Sequence, residues 1–318
     1  MKISVIIPNY NGEKIIDGCI QSLLQQEYKD FNIIVVDNNS TDDSVKIIEE
    51  KYPSITLIKN NENLGFAAAV NIGIKVSKSD FVALLNNDTE VDTKWLGNLY
   101  SVVSKDDKIF SASSKMIRFY ERDIIDDAGD QYNLLGWAYK RGDGASVDKF
   151  NKNKVVFSTC AGAGLYRRKV FEEIGYFDEN FFAYLEDIDV SFRGNIHGYK
   201  NVYVNDAIVY HMVSATSGSR HNEFKVKLAS RNSIYLIRKN MPLIFTIINL
   251  PFLILGIIVK YIFFLRKSLG KEYIEGIKEG IFIKNKVEKT KFKLKNLIYY
   301  FIIEGRLIVN TFKMFFKA

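Results

Sequence analysis

The sequence predicts an α/β fold, in which a mostly parallel sheet is covered by helices and followed by a basic, apolar, helical tail. Short β-branched runs alternate with segments of helical periodicity over residues 3–85, which is typical of parallel sheets. Clusters of Asp and Asn follow two predicted strands, at Asp37 and at Asp88. The net charge is −4 before Arg238 and +11 from Arg238 onward. These three observations indicate the architecture, a ligand site and the start of the tail.

The first half of the chain is predicted to consist of strand–helix units joined by short links. The predicted strands are Ile3–Ile7, Phe31–Val36, Ile55–Lys59 and Phe81–Leu85, and the predicted helices are Ile15–Gln26, Asp42–Tyr52 and Gly65–Ser77. We expect Ser40 or Thr41 to cap the second helix. Ligands bind at the carboxyl ends of the strands in such sheets, so both polar clusters are expected in one site.

The pattern loosens after Trp95. Residues 115–155 are rich in Asp, Gly and Arg and are expected to form an irregular region or a small sheet. A strand over Val155–Tyr166, interrupted by Gly162 and Gly164, is predicted next. The last elements predicted before the tail are the helices Lys169–Ile174 and Glu186–His197 and the strand Val202–His211.

Composition restricts the class of protein. The chain has 318 residues, of which 47% are hydrophobic and 25% are charged, as in ordinary globular proteins. Cys19 and Cys160 provide neither a disulfide framework nor a metal-binding spacing, which favours a reducing compartment. The N-terminal sequence has no long apolar stretch of the kind found in signal peptides and is expected to begin the first strand.

Three polar groups are candidates for chemistry. Asp88, at a strand end, could hold a divalent cation against a diphosphate, although Asn and Asp also favour simple turns. Glu186, Asp187 and Asp189 open a predicted helix, where acids are favoured electrostatically, yet aromatic residues around them could tune a carboxylate for base chemistry. His211 follows a strand and is a candidate metal ligand, whereas we assign His197 and His221 structural or surface roles.

Together these groups resemble the family-2 glycosyltransferases, which have the GT-A fold, and in particular a rhamnosyltransferase-like branch. The resemblance covers roughly residues 3–240. Seven motifs occur in the order found in the family, namely VIIPNYN at 5–11, VVDNNSTD at 35–42, NLGFA at 63–67, LLNNDT at 84–89, GYFD at 175–178, EDID at 186–189 and VYH at 209–211.

The resemblance implies a role for each matching residue. It implies Asp187 as the catalytic base, Asp88 and His211 as ligands of Mn²⁺ or Mg²⁺, and Glu186 and Asp189 as residues that orient the acceptor or cap the helix. The positions implied for the donor nucleotide are Pro8, Tyr10, Asp37, Asn38 and Asn87.

Two residues depart from the family pattern. Asn86 replaces the first acid of the metal motif, which leaves Asp88 as the main carboxylate ligand, and Asn38 replaces a second acid after Asp37. Gly162 could allow close backbone approach to donor or acceptor, and a simple strand bend explains it equally well. The implied reaction is a single displacement at the anomeric carbon, which inverts its configuration. The Gln-x-x-Arg-Trp motif of processive synthases is absent, which favours transfer of one sugar per encounter.

Two domains are expected, a catalytic domain over residues 1–240 and a tail over residues 241–318. The segment from Arg238 onward has 16 Lys and Arg against 5 Asp and Glu. Met241–Val259 has no charged residue and is long enough to span a bilayer. The loop between this stretch and Leu297–Phe316 is strongly basic, which opposes a double span. We therefore favour helices lying in the cytoplasmic interface of the cell membrane; a single span and a bundle packed on the catalytic domain are the alternatives.

Other function classes fit the sequence less well. A nucleotidyltransferase should have a glycine-rich, basic phosphate loop after the first strand, and residues 8–12 do not provide one. A non-catalytic sugar-nucleotide-binding protein should lack the carboxylates that Asp88 and Asp187 supply. A nicotinamide dehydrogenase needs a Gly-x-Gly-x-x-Gly after the first strand, which is also missing, and no motif indicates nucleic-acid binding. The expected partners are a nucleotide-sugar donor, a lipid-linked or glycan acceptor and a membrane surface.

Overall fold

A computed structural model describes residues 1–212, 221–282 and 287–316. The parts of the predicted tail at residues 283–286 and 317–318 lie outside this description. The strands are β1 (Ile3–Asn9), β2 (Phe31–Asp37), β3 (Thr56–Lys59), β4 (Phe81–Leu85), β5 (Thr89–Val91), β6 (Ile109–Arg118), β7 (Glu121–Asp127), β8 (Asp130–Tyr132), β9 (Ala138–Lys140), β10 (Lys154–Val156), β11 (Ala163–Arg167) and β12 (Lys200–His211). The helices are α1 (Ile16–Leu24), α2 (Ser44–Lys51), α3 (Gly65–Val76), α4 (Trp95–Val103), α5 (Arg168–Ile174), α6 (Glu186–Ile196), α7 (Glu223–Asn240), α8 (Leu243–Leu265), α9 (Gly270–Phe282) and α10 (Leu297–Phe316).

Within the described residues the main sheet contains ten strands, and its central order is β10-β12-β6-β11-β4-β1-β2-β3. The strands β4, β1, β2 and β3 are parallel to one another, β6 and β12 form a further parallel pair, and β11 runs antiparallel between β4 and β6. In β1 the side chains of Val5 and Ile7 pack into one core cluster, and Ile6 packs into another. This alternation buries both faces of the sheet, as a parallel sheet covered by helices requires.

The first four predicted strands and the three helices between them are confirmed. The cap prediction for the second helix is wrong, because the Asp42 carboxylate accepts the backbone N–H of Ser44 at 3.1 Å, while the Ser40 hydroxyl donates to Asp37. The single strand over Val155–Tyr166 is also wrong. Its two ends belong to β10 at the sheet edge and to β11 in the sheet interior.

Strand β6 and helix α4 are among the elements that were not predicted. Strand β6 contains the buried polar residues Ser111, Ser113, Ser114 and Lys115, which break the apolar pattern by which a strand is recognised. Helix α4 begins at Trp95 and buries an apolar face against β6 and β12. Residues 115–155 do form a small sheet, in which β8 pairs with β9.

The tail helices pack one face against the rest of the molecule. Tyr235, Leu253 and Leu307 share a core cluster with Tyr132 and Phe192. Polar contacts fix α10 at the same interface, since Asn310 Nδ2 donates to the Tyr132 carbonyl at 2.9 Å and the Tyr139 hydroxyl donates to the Asn310 carbonyl at 2.9 Å. The tail is thus packed on the α/β unit along one side.

The other side of α8 and α10 is exposed and apolar. Helix α8 is long and apolar enough to cross a bilayer, and it alone meets that criterion among the described helices, which is weak evidence for a span by itself. Apolar residues with large exposed fractions on the two helices include Leu243, Ile244, Ile247, Ile248, Leu255, Ile298, Phe301, Phe312 and Phe315. A contiguous apolar surface of this kind is typical of an interaction or membrane face.

Gly256 gives a direct test of how α8 docks. A Cβ at Gly256 would overlap the carbonyl oxygen of Leu135, whereas a Cβ at Gly305 in α10 meets no atom within 4 Å. We expect Gly256→Ala to lower the free energy of unfolding by about 1–3 kcal/mol through overpacking. Gly305→Ala should raise it by up to about 1 kcal/mol through helix propensity. Urea denaturation of both variants measures this, and equal effects would contradict the packing of α8.

Candidate active site

A cleft of about 680 Å³ lies at the carboxyl ends of β1, β2 and β4. Parallel strands end at the same edge of the sheet, so the residues that follow them converge there. The loop before α6 and the helices α7 and α8 close the cleft on other sides. Among the predicted site residues, the lining includes Pro8, Tyr10, Asn38, Asn87, Asp88, Gly162, Glu186 and Asp187.

Asp37 supports the cleft from behind and does not line it. Its carboxylate accepts Asn9 Nδ2 at 2.8 Å and the backbone N–H of Ser40 at 2.9 Å, and it is buried. Asn9, which the sequence analysis missed, in turn accepts Asn87 Nδ2 at 2.9 Å. Because Asn9 and Asn87 line the cleft, these hydrogen bonds fix that part of its wall from Asp37 outward.

Asp88 and His211 come together because β12 pairs antiparallel with β5 in a register that places His211 opposite Thr89. His211 Nε2 lies 3.5 Å from Asp88 Oδ2, and His211 Nδ1 lies 2.9 Å from Asp126 Oδ2. Burial alone would lower the pKa of His211, but the hydrogen bonds to Asp126 and Asp88 raise it to about 9. Asp88 Oδ1 is buried without a hydrogen-bond partner in the described part of the chain.

A second acidic group lies beside the cleft and was also missed. One ligand atom each from Asp127, Asp130 and Cys160 lies within 4.8 Å of the others. Burial raises the pKa of Asp127 and Asp130, although Lys140 partly opposes this shift for both. The pKa values of the neighbouring residues Asp126 and Asp127 shift in opposite directions. Burial would raise the pKa of Asp126 as well, but hydrogen bonds and charge interactions with His211 and Lys140 lower it.

The start of α6 presents Glu186 and Asp187 to the cleft. Tyr184 and Leu185 have positive φ angles of 69° and 70°, which turn the chain sharply before the helix. Asp187 Oδ1 accepts the backbone N–H of Ile188 at 2.7 Å, and Asp187 Oδ2 accepts the N–H of Ala161 at 3.4 Å. Burial raises the pKa of Asp187 despite these bonds, and it raises the pKa of Glu186, whose Oε2 has no described partner.

Asp189 does not reach the cleft, which corrects the expectation that it orients the acceptor. It is fully buried, and its carboxylate binds Arg193 at 2.8 Å, Lys239 at 3.1 Å and Asn240 at 2.7 Å. Desolvation would raise the pKa of Asp189, but Arg193 and Lys239 hold it below its usual value. The Asp189 carboxylate therefore joins α6 to α7. Lys239 also binds Asp178, at 2.6 Å.

Gly162 and the histidines complete the comparison with the sequence. A Cβ at Gly162 would lie 2.9 Å from Asn86 Nδ2, and the Gly162 carbonyl accepts the Asn86 N–H at 2.8 Å. His221 lines the cleft and packs edge-on against Phe263 and Phe264. His197 Nδ1 lies 2.9 Å from the Arg193 carbonyl, as a structural residue would.

The mixed sheet, with amides and acids at its carboxyl edge, defines a GT-A glycosyltransferase fold. The chain belongs to glycosyl transferase family 2, whose family model matches residues 4–175. Both expectations drawn from the resemblance, the family and the fold, are therefore confirmed.

The relatives among known proteins include several glycosyltransferases. A Haemophilus influenzae uncharacterized glycosyltransferase is 26% identical over 74% of this chain and 75% of its own length. An Escherichia coli UDP-Glc:α-D-GlcNAc-diphosphoundecaprenol β-1,3-glucosyltransferase, WfaP, is 35% identical over 39% of this chain, and the match spans 48% of that protein. A Mycobacterium tuberculosis N-acetylglucosaminyl-diphospho-decaprenol L-rhamnosyltransferase is 23% identical over 73% of this chain and 85% of its own length.

Solved structures share the fold at low identity. GalNAc-T7 with UDP, GalNAc and Mn²⁺ aligns with a TM-score of 0.62 and 17% identity over 74% of this chain and 47% of its own. The mannosyltransferase PcManGT of Pyrobaculum calidifontis, with GDP-Man and Mn²⁺, aligns with a TM-score of 0.57 and 16% identity. The latter alignment covers 89% of this chain and 88% of that protein, so the shared architecture extends into the tail region.

The contrasting surroundings of Asp189 and Glu186 predict opposite stability effects. Asp189→Asn leaves Arg193 buried without its anion and Lys239 with Asp178 alone, and should lower the free energy of unfolding by about 3–5 kcal/mol. Glu186→Gln removes a carboxylate whose burial is uncompensated and should change stability by less than about 1 kcal/mol, or increase it. Chemical denaturation of the two variants tests this, and a larger loss for Glu186→Gln would contradict the assignment.

Proposed function

We propose that this protein is an inverting, metal-dependent hexosyltransferase that moves a sugar from a nucleotide-diphosphate donor to a hydroxyl of a lipid-linked or polysaccharide acceptor. One observation carries the proposal. The same cleft contains Asp88, whose Oδ1 has no hydrogen-bond partner in the described residues, and Asp187, a candidate general base. Family membership favours this function over the nucleotidyltransferase and the non-catalytic alternatives.

The donor end of the cleft is formed by Pro8, Tyr10, Asn38 and Asn87. Asn38 donates to the Gly65 carbonyl at 3.1 Å and accepts Asn60 Nδ2 at 2.9 Å, which fixes the orientation of its amide. Tyr10 is partly exposed and offers a ring face for a nucleobase. We infer that Asp37 acts on the donor indirectly, by holding Asn9.

The residues present fit a divalent cation. Asp88 Oδ1 is a buried oxygen without a partner, and His211 Nε2 lies beside the same carboxylate, so these two residues would hold the ion. Bound Mn²⁺ or Mg²⁺ would neutralise charge on the departing nucleoside diphosphate. His211 must be neutral to act as a ligand, and Asp126 then orients its ring through Nδ1. The buried group of Asp127, Asp130 and Cys160 is a second candidate cation site.

We infer that Asp187 acts as the general base. In the proposed reaction the acceptor hydroxyl gives its proton to Asp187 while its oxygen forms a bond to the anomeric carbon. The bond from that carbon to the donor phosphate breaks, and the electron pair leaves with the nucleoside diphosphate. One displacement inverts the configuration. Two backbone N–H groups orient the carboxylate, and burial increases its basicity.

A lipid-linked acceptor is favoured by the relatives. The Escherichia coli and Mycobacterium tuberculosis proteins are both named for sugars attached to diphospho-polyprenols, with UDP-Glc named as donor for the first and L-rhamnose as the sugar transferred by the second. We therefore infer a role in cell-surface glycan synthesis, with rhamnosyl transfer as the proposed specificity.

The tail would hold the enzyme at the cytoplasmic face of the cell membrane. Lys260 and Phe264 of α8 line the active cleft, and Trp137 Nε1 donates to the Gly256 carbonyl at 3.2 Å. These contacts keep α8 along the catalytic unit, which favours a helix lying in the interface over one that leaves the protein to span. The exposed apolar faces of α8 and α10 would enter the lipid, and basic residues would contact the headgroups.

Asp187→Asn tests the proposed reaction. The substitution keeps the shape of the side chain and removes its basicity, so transfer should fall about 10²- to 10⁴-fold while donor binding is retained. The assay measures nucleoside diphosphate released from a panel of nucleotide sugars, with membrane extract as the acceptor source. Asp123→Asn, at an exposed position, is the control. Full activity of Asp187→Asn would rule out Asp187 as the base.

Asp88→Asn tests the cation site. Donor affinity of the wild-type protein should increase with Mn²⁺ or Mg²⁺ and fall when a chelator is added, and Asp88→Asn should abolish this difference. Calorimetric titration of donor with and without metal measures it. Asp92→Asn is the matched control, because Asp92 accepts the backbone N–H of Lys94 at 3.0 Å and does not line the cleft. Metal-independent donor binding by the wild type would contradict the proposal.

A further inference from the structure

A second cavity, of about 1110 Å³, lies between α10 and the segments around β9 and β10. We propose that this cavity binds the phosphate group of a phosphorylated lipid and so holds the lipid-linked acceptor for transfer. The inference rests on the proposed function and adds a site for the acceptor's phosphate. Two of its lining residues, Tyr139 and Lys140, also line the active cleft, so the two cavities adjoin.

The cavity is strongly basic. Six basic side chains line it, namely Lys140, Arg141, Lys149, Lys154, Arg306 and Lys313. Asp143 is the only acid among the described lining residues, and Arg118 binds its carboxylate at 3.1 Å. Lys140 is likewise paired, with Asp126 at 2.8 Å. The other basic side chains of the lining form no ion pair within the described residues, and a phosphate would supply an anion.

Arg141 is held in a fixed orientation in the wall of the cavity. Its guanidinium lies 4.7 Å from the ring centre of Phe150 and 4.6 Å from that of Tyr203, and its Nε donates to the Ala128 carbonyl at 2.8 Å. These contacts fix the plane of the group, and its Nη2 is buried. The charge of Arg141 therefore adds to the positive potential of the cavity from a fixed position.

Lys154 and Lys313 add two further uncompensated charges. Lys154, Lys313 and Arg141 line the same cavity. Repulsion by Lys313, then burial and Arg141, lower the pKa of Lys154. Within residues 1–212, 221–282 and 287–316, no ion pair involves any of the three. Like charges held together at a cavity wall favour a polyvalent anion over a single carboxylate.

The apolar part of the cavity indicates a lipid. Ile302, Val309 and Met314 of α10 line it. Ile302 and Val309 are also 45% and 47% exposed, so the apolar wall continues onto the outer face of the helix. A free phosphate would use the basic residues alone, whereas a phosphate attached to a hydrocarbon chain would use both parts. A sugar linked to that phosphate would extend past Tyr139 toward the cleft that contains Asp187.

Lys154→Glu provides the test, in the full-length protein. The new carboxylate would lie beside Lys313 and Arg141 and compete with a phosphate. Calorimetric titration with geranyl diphosphate should show affinity reduced roughly tenfold or more, while the melting temperature stays equal or rises because repulsion is relieved. Lys152→Glu is the matched control, since Lys152 lies two residues before Lys154, is exposed and does not line the cavity. Geraniol and inorganic diphosphate should each bind the wild type more weakly than geranyl diphosphate.

Binding to vesicles of phosphatidylglycerol and phosphatidylcholine separates an acceptor site from general attraction to a bilayer. Both lysine variants should reduce vesicle binding equally, and only Lys154→Glu should lose geranyl diphosphate. Unchanged affinity of Lys154→Glu for geranyl diphosphate, or equal affinity of the wild type for inorganic diphosphate, would overturn the inference. Binding of the nucleotide-sugar donor is measured on the same samples. A wild-type protein that does not bind any donor would count against the proposed function, and not against the lipid-phosphate site.

Discussion

The buried ion network around Asp189 is the constraint on which the arrangement of the site depends. Asp189 binds Arg193 within α6 and Lys239 and Asn240 at the end of α7, and Arg193 also donates to the carbonyls of Ile174 and Gly175 at 2.6 Å. The network therefore fixes the first turn of α6 against both the α/β unit and the start of the tail. Since Asp187 lies in that same turn, its orientation toward the cleft follows from a salt-bridge network outside it.

The sheet imposes the second constraint, the meeting of Asp88 with His211. Asp88 follows the parallel strand β4, and His211 ends β12, which reaches the same edge by pairing with β5 and β6. Asp126 of β7 then holds the outer nitrogen of the imidazole. Residues 38, 85 and 123 positions apart from one another in the chain cannot be brought together by local preferences, so this contact depends on the long-range pairing of the strands.

The sequence predicts the structure of residues 3–85 well and that of the region after Trp95 less well. The strands β1 to β4 were predicted because their apolar runs are continuous, and the site edge followed from their direction. The strand β6 was missed because serines fill its buried positions. Asp126 was missed because the irregular region around it has no periodic signal. Helical spacing predicts that Asp187 and Asp189 point in directions about 200° apart. It does not predict which of the two faces the cleft, and the structure places Asp187 there and Asp189 in the core.

The tail belongs to both the fold and the proposed site. Its inner face completes a core cluster with Tyr132 and Phe192, and its outer face is apolar and exposed. A double-mutant cycle between Asp189→Asn and Lys239→Met tests most directly whether the network joins α7, which leads into the tail, to α6. In urea denaturation we predict a coupling energy of about 1–3 kcal/mol, with reduced sugar transfer in both single variants. Additivity within about 0.5 kcal/mol would contradict the account.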